Sequence, residues 1–289
     1  MYVIGGSLLT LYLAAVILLT VFEPRVIFLP PSVFPATQAS EIGPDVEDLK
    51  IPVDAKTYLH AWWVPAPKPD APTLLFFDGN AGVLEREAKQ QVALFRQTGA
   101  NLLLIDYRGY GTSSRLETTG TSTREDALAA FHYLERDRHL PPQKIVIFGW
   151  SIGSGVATQL AVDAHDAGGL ILLSPITSVS DVGDNESWIL RFPLRPVRWL
   201  RHDNDFANKD KIGSIHIPVL IMVGTEDTLA PPWMAKHLFA LANEPKSLHL
   251  LNGAGHNDAM TKRPADFVMA LREFLGSLHE QPAIGPHPL

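Results

Sequence analysis

The segment KIVIFGWSIG, residues 144–153, combines the sequence pattern of a β-strand with a motif that is typical of a nucleophilic serine. Lys144 to Phe148 is a short, almost continuous apolar run, which is typical of a strand buried on both faces. The following five residues match the G-x-S-x-G pattern of a nucleophile elbow, with Ser151 at its centre. A sharp turn into a helix starting at Ile152 would lift the serine hydroxyl above the sheet. We therefore expect Ser151 to be a nucleophile at the carboxyl edge of a sheet.

The neighbours of the serine complete the predicted elbow, which consists of Gly149, Trp150, Ser151, Ile152 and Gly153. The glycines leave room for a crowded turn. The helix that follows would bring backbone N–H groups and the positive end of its dipole close to the reacting atoms. The alternative is a serine that only caps a helix. The strand–turn–helix context favours the elbow.

Apolar runs like the one before the elbow alternate with helical patterns through most of the chain. Further strands are predicted at Leu49–Val53, Tyr58–Pro65, Thr73–Phe77, Asn101–Ile105, Gly169–Leu173, Val219–Val223 and Ser247–Leu251. Helices are predicted at Val83–Gln97, Arg124–Asp137, Ile152–Ala164, Pro232–Leu241 and Pro264–Leu278. The pattern Ser122-x-x-Glu125 predicts a capping box at the start of the second helix. This alternation predicts an α/β fold with one mostly parallel, eight-stranded sheet and helices on both faces.

The N-terminus has a different character from the rest of the chain. Tyr2 to Phe22 carries no charged residue, and as a helix it would be about 31 Å long, close to the thickness of a bilayer core. We therefore expect residues 1–22 to form a transmembrane anchor. A cleaved signal peptide and a buried core helix are the alternatives.

The remaining boundaries follow from composition. Residues 23–44 are rich in proline and are predicted to be a linker, residues 45–278 form the α/β domain, and residues 279–289 form a loose tail. Residues 175–218 are longer than a simple connection between strands needs, and they mix large apolar side chains with arginines. An amphipathic helix packed on the sheet and a short lid over an acyl pocket both fit this pattern.

A serine hydroxyl needs a base to act as a nucleophile. The chain has 11 histidines, so the base has to be identified from its place relative to the predicted strands. His256 lies in the sequence GAGHND, residues 253–258, directly after the last predicted strand. A loop there can return a side chain to the edge that carries Ser151. We expect His256 to be the base, against the alternative of a structural loop histidine.

The acid is expected in the sequence GTEDTLAP, residues 224–231, which follows the preceding strand. Asp227 is the predicted acid, and Glu226 is the alternative. The role of Asp227 would be to fix the tautomer of His256 and to stabilise the imidazolium. Asp258 stands almost beside the histidine and is expected to brace the loop instead.

An oxyanion needs preorganised hydrogen-bond donors. The backbone N–H of Ile152, directly after the nucleophile, is one expected donor. The backbone N–H of Asn80, in the loop DGNAG of residues 78–82, is the other. A glycine-rich turn that only caps the next helix is the alternative.

Composition excludes several kinds of site. The chain has no cysteine, so thiolate catalysis, disulfides and a cysteine-ligated metal are excluded. A formal net charge of -7 gives no support to a nucleic-acid partner. A serine, histidine and aspartate together need no metal or organic cofactor, and we expect none.

The motifs together resemble the bud-emergence (Bem) type of α/β hydrolases, which are related to membrane-associated α/β-hydrolase-domain-containing proteins. The resemblance covers roughly residues 45–278, and it is carried by GWSIGSG (149–155), DYRGYGTSS (106–114), GTEDTLAP (224–231) and GAGHND (253–258). It implies the α/β-hydrolase fold and a serine hydrolase that acts on esters, thioesters or amides. It also implies a domain on the non-cytoplasmic side of a membrane.

The same resemblance implies roles for individual residues. Ser151, Asp227 and His256 match the catalytic triad of the family, and Asn80 and Ile152 match its oxyanion positions. A small-molecule or lipid-like acyl substrate is the expected partner, with the membrane as a second partner through the N-terminal helix.

One departure concerns the loop before the first helix. Relatives usually carry His-Gly-Asn-Ala there, and this chain has Asp78 before Gly79. A carboxylate that faced a developing oxyanion would be unfavourable, so we expect Asp78 to turn away and accept loop N–H groups. Tyr107 and Arg108, in the DYRGYG segment, are expected to support the loop near the mouth of the site.

The predicted activity is hydrolysis of a carboxylic ester or thioester through an acyl-enzyme on Ser151. A serine peptidase or amidase of the same fold is one alternative. A membrane-tethered binding protein that has lost activity is another, and the departure at Asp78 gives it some support.

Overall fold

An eight-stranded sheet forms the centre of the computed structural model, which describes residues 10–14, 16–17, 24–25, 27–32, 37–186 and 202–278. The strand order is β1-β2-β4-β3-β5-β6-β7-β8. The strands are β1 (Glu47–Pro52), β2 (Tyr58–Val64), β3 (Thr73–Phe77), β4 (Asn101–Ile105), β5 (Ile145–Trp150), β6 (Gly169–Leu173), β7 (Val219–Gly224) and β8 (Lys246–Leu251).

The sheet is parallel from β4 to β8 and antiparallel only where β1 and β2 join it. In register, Gly149 pairs with Phe77 of β3 and Trp150 pairs with Leu173 of β6. The carboxyl end of β5 therefore lies between the ends of two neighbouring strands, where loops from both can reach the residue that follows it. The prediction of a mostly parallel, eight-stranded sheet is confirmed.

Helices cover both faces of this sheet, as predicted. They are α1 (Ala39–Ile42), α2 (Leu84–Phe95), α3 (Gly120–Arg136), α4 (Gly153–Asp163), α5 (Val179–Glu186), α6 (Asn208–Lys211), α7 (Pro232–Leu241) and α8 (Pro264–Leu278). One-turn 3₁₀ helices lie at Arg96–Thr98, Pro142–Lys144, His202–Asp205 and Ile212–Ser214. Alternate strand residues point to opposite faces, so Leu75 joins an apolar cluster with α3, α4 and α7, and Leu74 joins one with α2 and α8.

The start of α3 differs from the prediction. The helix begins at Gly120, four residues before Arg124, and Thr119 is its N-cap. The Thr119 hydroxyl accepts the N–H of Ser122 at 3.1 Å, and the Ser122 hydroxyl accepts the N–H of Thr119 at 2.8 Å. The predicted capping box of Ser122 and Glu125 is therefore wrong, because Ser122 already lies inside the first turn and completes the box of Thr119.

Several predicted segments fall partly or wholly outside the described residues. These are residues 1–9, 15 and 18–22 of the anchor, residues 23, 26 and 33–36 of the linker, residues 187–201 of the lid, and the tail, residues 279–289. No helix within the described part of the chain has the length and apolar character that crossing a membrane requires. The described parts of the 175–218 segment form α5, α6 and two 3₁₀ turns.

Candidate active site

Ser151 lies on a sharp turn between β5 and α4. Its φ is +55°, in the left-handed region that L-residues with side chains rarely adopt. Its N–H donates to the carbonyl of Leu173 at 3.0 Å, which fixes the turn to the end of β6. A strained serine held in this way is the backbone geometry expected of a nucleophile elbow.

Close contacts explain the two glycines of the elbow. A Cβ on Gly149 would lie 2.3 Å from the carbonyl oxygen of Gly153 and 2.6 Å from the Cβ of Ala157. A Cβ on Gly153 would lie 2.3 Å from the carbonyl oxygen of Phe77 and 2.6 Å from that of Asp78. Both positions need glycine because α4 starts almost in contact with β5 and the end of β3.

His256 brings the serine and the aspartate into one chain of hydrogen bonds. Its Nε2 lies 2.8 Å from Oγ of Ser151, and its Nδ1 lies 2.9 Å from Oδ2 of Asp227. With the proton on Nδ1, the ring donates to the carboxylate, and Nε2 is left to accept the serine hydroxyl. This is the arrangement a serine needs to lose its proton to a base.

Asp227 is held rigidly and lies 2% exposed. Its Oδ1 accepts the N–H groups of Leu229 and Ala230 at 3.1 and 2.8 Å, which leaves Oδ2 for the histidine. The alternative acid, Glu226, has its side chain 69% exposed and 3.7 Å from Lys262. The structure therefore brings Asp227 to the site and places Glu226 outside it.

The loop that carries His256 is bonded to the loop that carries Asp227. Oδ1 of Asp258 accepts the N–H of Gly255 at 2.6 Å, which is the bracing expected of that residue. The N–H of Gly253 donates to Oγ1 of Thr225 at 2.8 Å. These contacts restrict the position of the histidine relative to Asp227. Sequence reasoning missed Thr225, although it stands two residues before Asp227.

The loop of residues 78–82 lies beside the nucleophile, since a Cβ on Gly79 would be 3.4 Å from the Cβ of Ser151. Within the loop, the N–H groups of Gly79, Ala81 and Gly82 donate to neighbouring oxygen atoms. The N–H groups of Asn80 and Ile152 make no hydrogen bond to any residue that the structure describes. The two predicted oxyanion donors are thus the ones that local structure leaves available.

The carboxylate of Asp78 is held by its own loop and by α2. Oδ1 accepts the N–H of Gly79 at 2.7 Å, and Oδ2 accepts the side-chain amide of Gln91 at 3.1 Å. Gly82 packs directly on this carboxylate, because a Cβ there would lie 2.6 Å from Oδ2. The orientation agrees with the expectation that Asp78 accepts a loop N–H.

The DYRGYG segment supports the same loop through its tyrosines. The Tyr107 hydroxyl donates to the carbonyl of Asp78 at 3.2 Å, and the Tyr110 hydroxyl donates to Oδ1 of Asn80 at 3.0 Å. Burial raises the pKa of Tyr107 well above its usual value, so the phenol keeps its proton and remains a donor. Sequence reasoning missed Tyr110, although it belongs to the same motif as Tyr107.

Arg108 connects the DYRGYG segment to α3. Its Nε donates to Oδ1 of Asp126 on α3 at 2.8 Å, and its backbone N–H donates to the other oxygen of that carboxylate at 2.9 Å. Burial raises the pKa of Asp126, and the guanidinium opposes this shift. Arg108 therefore anchors the DYRGYG turn to α3.

A short N-terminal segment, Ile27–Leu29, lies against the oxyanion loop. The Asn80 side chain donates to the carbonyl of Ile27 at 2.6 Å and accepts the N–H of Leu29 at 2.9 Å. Phe28 is buried and meets the ring of Phe206 edge to face at 6.0 Å. The apolar character of residues 26–29 indicates that this part of the linker lies on the membrane or on the domain, but it does not indicate Asn80 as the partner.

A cavity of about 490 Å³ lies beside the elbow and the histidine loop. Its lining is mixed, with amide and cationic groups next to apolar ones, and includes Asn80, Arg86, Gln91, Trp150, Asn257 and Met260. Within the described part of the chain, the buried Nε1 of Trp150 and Oε1 of Gln91 have no hydrogen-bond partner.

Comparisons with known proteins agree with this architecture. The family model of the α/β-hydrolase fold matches residues 72–201. A Mycobacterium tuberculosis protein, Rv2307c, is 33% identical over 93% of each chain, and the zebrafish lysophosphatidylserine lipase ABHD12 is 30% identical over 65% of this chain and 52% of its own length. Among solved structures, the Pyrococcus furiosus esterase Pf2001 has a TM-score of 0.70 at 19% identity, over 86% of this chain and 97% of the esterase.

Proposed function

The chain belongs to the α/β-hydrolase family, and on that premise we propose that it hydrolyses carboxylic esters or thioesters with Ser151 as nucleophile. The observation that carries the proposal is the continuous hydrogen-bond chain from Asp227 through His256 to Ser151. The similarity to Pf2001 concerns the fold alone, so the chemistry is argued from the site.

The proposed reaction has two acyl-transfer steps. His256 takes the hydroxyl proton at Nε2 while Oγ of Ser151 attacks the carbonyl carbon. The imidazolium, stabilised by Asp227, then protonates the leaving alcohol or thiol as the bond to carbon breaks. In the second step the same nitrogen accepts a proton from water, which attacks the carbonyl carbon of the acyl-enzyme. The bond from that carbon to Oγ of Ser151 then breaks, the imidazolium returns its proton to Oγ, and the acid is released.

Charge that develops on the carbonyl oxygen needs fixed donors. We assign this role to the N–H groups of Asn80 and Ile152, since both are unused by the described residues. The start of α4 adds a favourable dipole at the same place. The side chain of Asp78 is engaged with Gly79 and Gln91, which weakens the support that this residue gives to the alternative of an inactive binding protein.

The substrate class that fits best is an acyl ester with a polar part, either a small molecule or a lipid. The cavity beside the site is lined by amide and cationic side chains next to apolar ones, which suits a molecule with both characters. One relative is named a lysophosphatidylserine lipase, and the lipid in that name is an acyl ester with a polar part. A panel of p-nitrophenyl esters of increasing acyl length, with matched thioesters, would define the preference.

The nucleophile is tested by a fluorophosphonate probe, which reacts with activated serines. We expect the full chain to be labelled and Ser151→Ala to remain unlabelled. Ser214→Ala is a matched control, because Ser214 is exposed and bonds only to the carbonyl of Lys211 among the described residues. Equal labelling of Ser151→Ala and the unaltered chain would disprove the assignment.

We further propose that residues 1–22 anchor the enzyme in a membrane with the hydrolase domain on the non-cytoplasmic side, as in the Bem-type branch. The support is the uncharged run from Tyr2 to Phe22 and the four motifs quoted above. Alkaline carbonate extraction should leave the full chain in the membrane pellet and release a variant without residues 1–22. Release of both proteins would overturn the anchor, and protease protection in sealed vesicles tests the orientation.

A further inference from the structure

A second group of ionisable side chains lies apart from the serine site, where β2, β4 and α2 meet. It consists of His60 on β2, Glu85 in the first turn of α2 and Asp106 directly after β4. Their side chains are 7%, 5% and 2% exposed. One ligand atom from each lies within 4.8 Å of the other two. The cluster has no role in the proposed reaction.

The ionisable groups of this cluster include more acidic than basic side chains. Two buried carboxylates face one imidazole, and among the described residues no lysine or arginine forms an ion pair with Glu85 or Asp106. Oε2 of Glu85 is buried and has no hydrogen-bond partner in the described part of the chain. Gly111 covers this atom, because a Cβ there would lie 3.3 Å from it and 2.0 Å from Oδ2 of Asp106. A buried carboxylate of this kind calls for a cation or a proton.

The geometry around His60 favours the cation. Its Nε2 lies 3.0 Å from Oδ1 of Asp48, and in the tautomer that carries the proton on Nε2, Nδ1 presents a lone pair to the cluster. Histidines that bind metals are usually oriented by such a carboxylate on the second nitrogen. Oδ1 of Asp106 is similarly fixed by the N–H of Leu84 at 3.1 Å.

The distances at Nδ1 agree with this interpretation. Nδ1 of His60 lies 3.3 Å from Oδ2 of Asp106 and 3.6 Å from Oε1 of Glu85. Both distances exceed the 2.8 and 2.9 Å bonds that His256 makes in the same molecule. Two ligands on a tetrahedral metal ion with bonds of about 2.0–2.2 Å lie roughly 3.3–3.6 Å apart.

We propose that Nδ1 of His60 and the carboxylates of Glu85 and Asp106 bind one divalent transition-metal ion such as Zn²⁺. One imidazole and two carboxylates form a donor set that suits this class of ion better than the all-oxygen sets of Ca²⁺. The ion would tie β2 and β4 to the first turn of α2, directly after the loop of residues 78–82. Its role is structural, and it takes no part in acyl transfer.

Zinc binding by the full chain tests the proposal. After treatment with a chelator, calorimetric titration with Zn²⁺ should give one tight equivalent. Glu85→Gln and His60→Gln should weaken binding at least about tenfold, and Asp48→Asn should weaken it by about 10–100-fold through the outer hydrogen bond. Glu135→Gln is the matched control, because it alters a partly exposed carboxylate that lies 2.8 Å from a different histidine, His132, and should leave the tight site unchanged.

Thermal unfolding gives a readout that is independent of activity. Saturating Zn²⁺ should raise the Tm of the unaltered chain and of Ser151→Ala, but not that of Glu85→Gln, which keeps the volume of the side chain and is expected to fold. Co²⁺ should give the visible absorption of a tetrahedral site, lost in the same variant. Equal affinity of Glu85→Gln and the unaltered chain, or the absence of tight binding, would overturn the metal site. Neither result would bear on Ser151, which the fluorophosphonate probe tests separately.

Discussion

The carboxylate of Asp227 lies 2.9 Å from Nδ1 of His256, and the loops that carry the two residues are bonded to each other. The other oxygen of Asp227 is held by two backbone N–H groups. The carboxylate therefore cannot turn away without losing three hydrogen bonds. This arrangement fixes the tautomer in which Nε2 of the histidine accepts the proton of Ser151.

Asp227→Asn should lower kcat by on the order of 10⁴-fold with little change in fold, because an amide can stabilise the wrong tautomer of His256. The control is Glu226→Gln, which alters the neighbouring, exposed carboxylate and should keep full activity. The measurement is hydrolysis of a short p-nitrophenyl ester, with circular dichroism as a check on folding. A larger loss from Glu226→Gln than from Asp227→Asn would show that the acid has been misassigned.

Gly153→Ala should destabilise the protein by about 1–3 kcal/mol and abolish fluorophosphonate labelling, because the new Cβ would lie 2.3 Å from the carbonyl oxygen of Phe77. Gly276→Ala in α8 is a matched substitution, since its Cβ would meet nothing within 4 Å. It should stabilise the protein by up to about 1 kcal/mol, as alanine does in an exposed helix. Chemical denaturation measures both effects. Similar stability of the two variants would contradict the close approach of α4 to β3.

The sheet and the positions of Ser151, Asp227 and His256 could be predicted from sequence because each depends on local pattern. A buried parallel strand is a short apolar run, and in this fold the loops after particular strands meet at one edge. Ser151 and Asp227 follow buried runs of this kind, and His256 lies in the loop after β8, the edge strand. Their relative order along the chain therefore also predicted their proximity in space.

Other features depend on contacts that local pattern does not encode. The bond between Asn80 and the segment Ile27–Leu29 joins residues more than fifty positions apart. A proline-rich stretch predicts a linker, and its apolar residues do not reveal which part of the domain they contact. The cluster around His60 was missed for the same reason, because its three members come from three separate elements.

Asn80→Ala should lower kcat by about 10–100-fold, although the backbone N–H of residue 80 remains. The lost side chain binds both Ile27 and Leu29, and misplacement of the oxyanion loop would weaken its donors. Asn243→Ala is a suitable control, because that side chain donates to two carbonyls far from the site, of Gly213 and Ile215.

Each of these two substitutions should cost about 1–2 kcal/mol of stability. Only Asn80→Ala should reduce kcat, as measured with a saturating ester substrate. Equal kinetics for the two variants would mean that the N-terminal segment does not position the loop.

Asp78→Asn should keep kcat/KM within about threefold of the unaltered enzyme. The carboxylate accepts the N–H of Gly79 and the amide of Gln91, so its charge is directed into the loop. An asparagine oxygen can accept the same N–H, and Gln91 can rotate to present Oε1, which has no partner among the described residues. Asp78→Ala should be much less active, because it leaves the N–H of Gly79 without its acceptor. If Asp78→Asn instead raised kcat by tenfold or more, the negative charge would be opposing the oxyanion, and the loop would turn that carboxylate inward during the reaction.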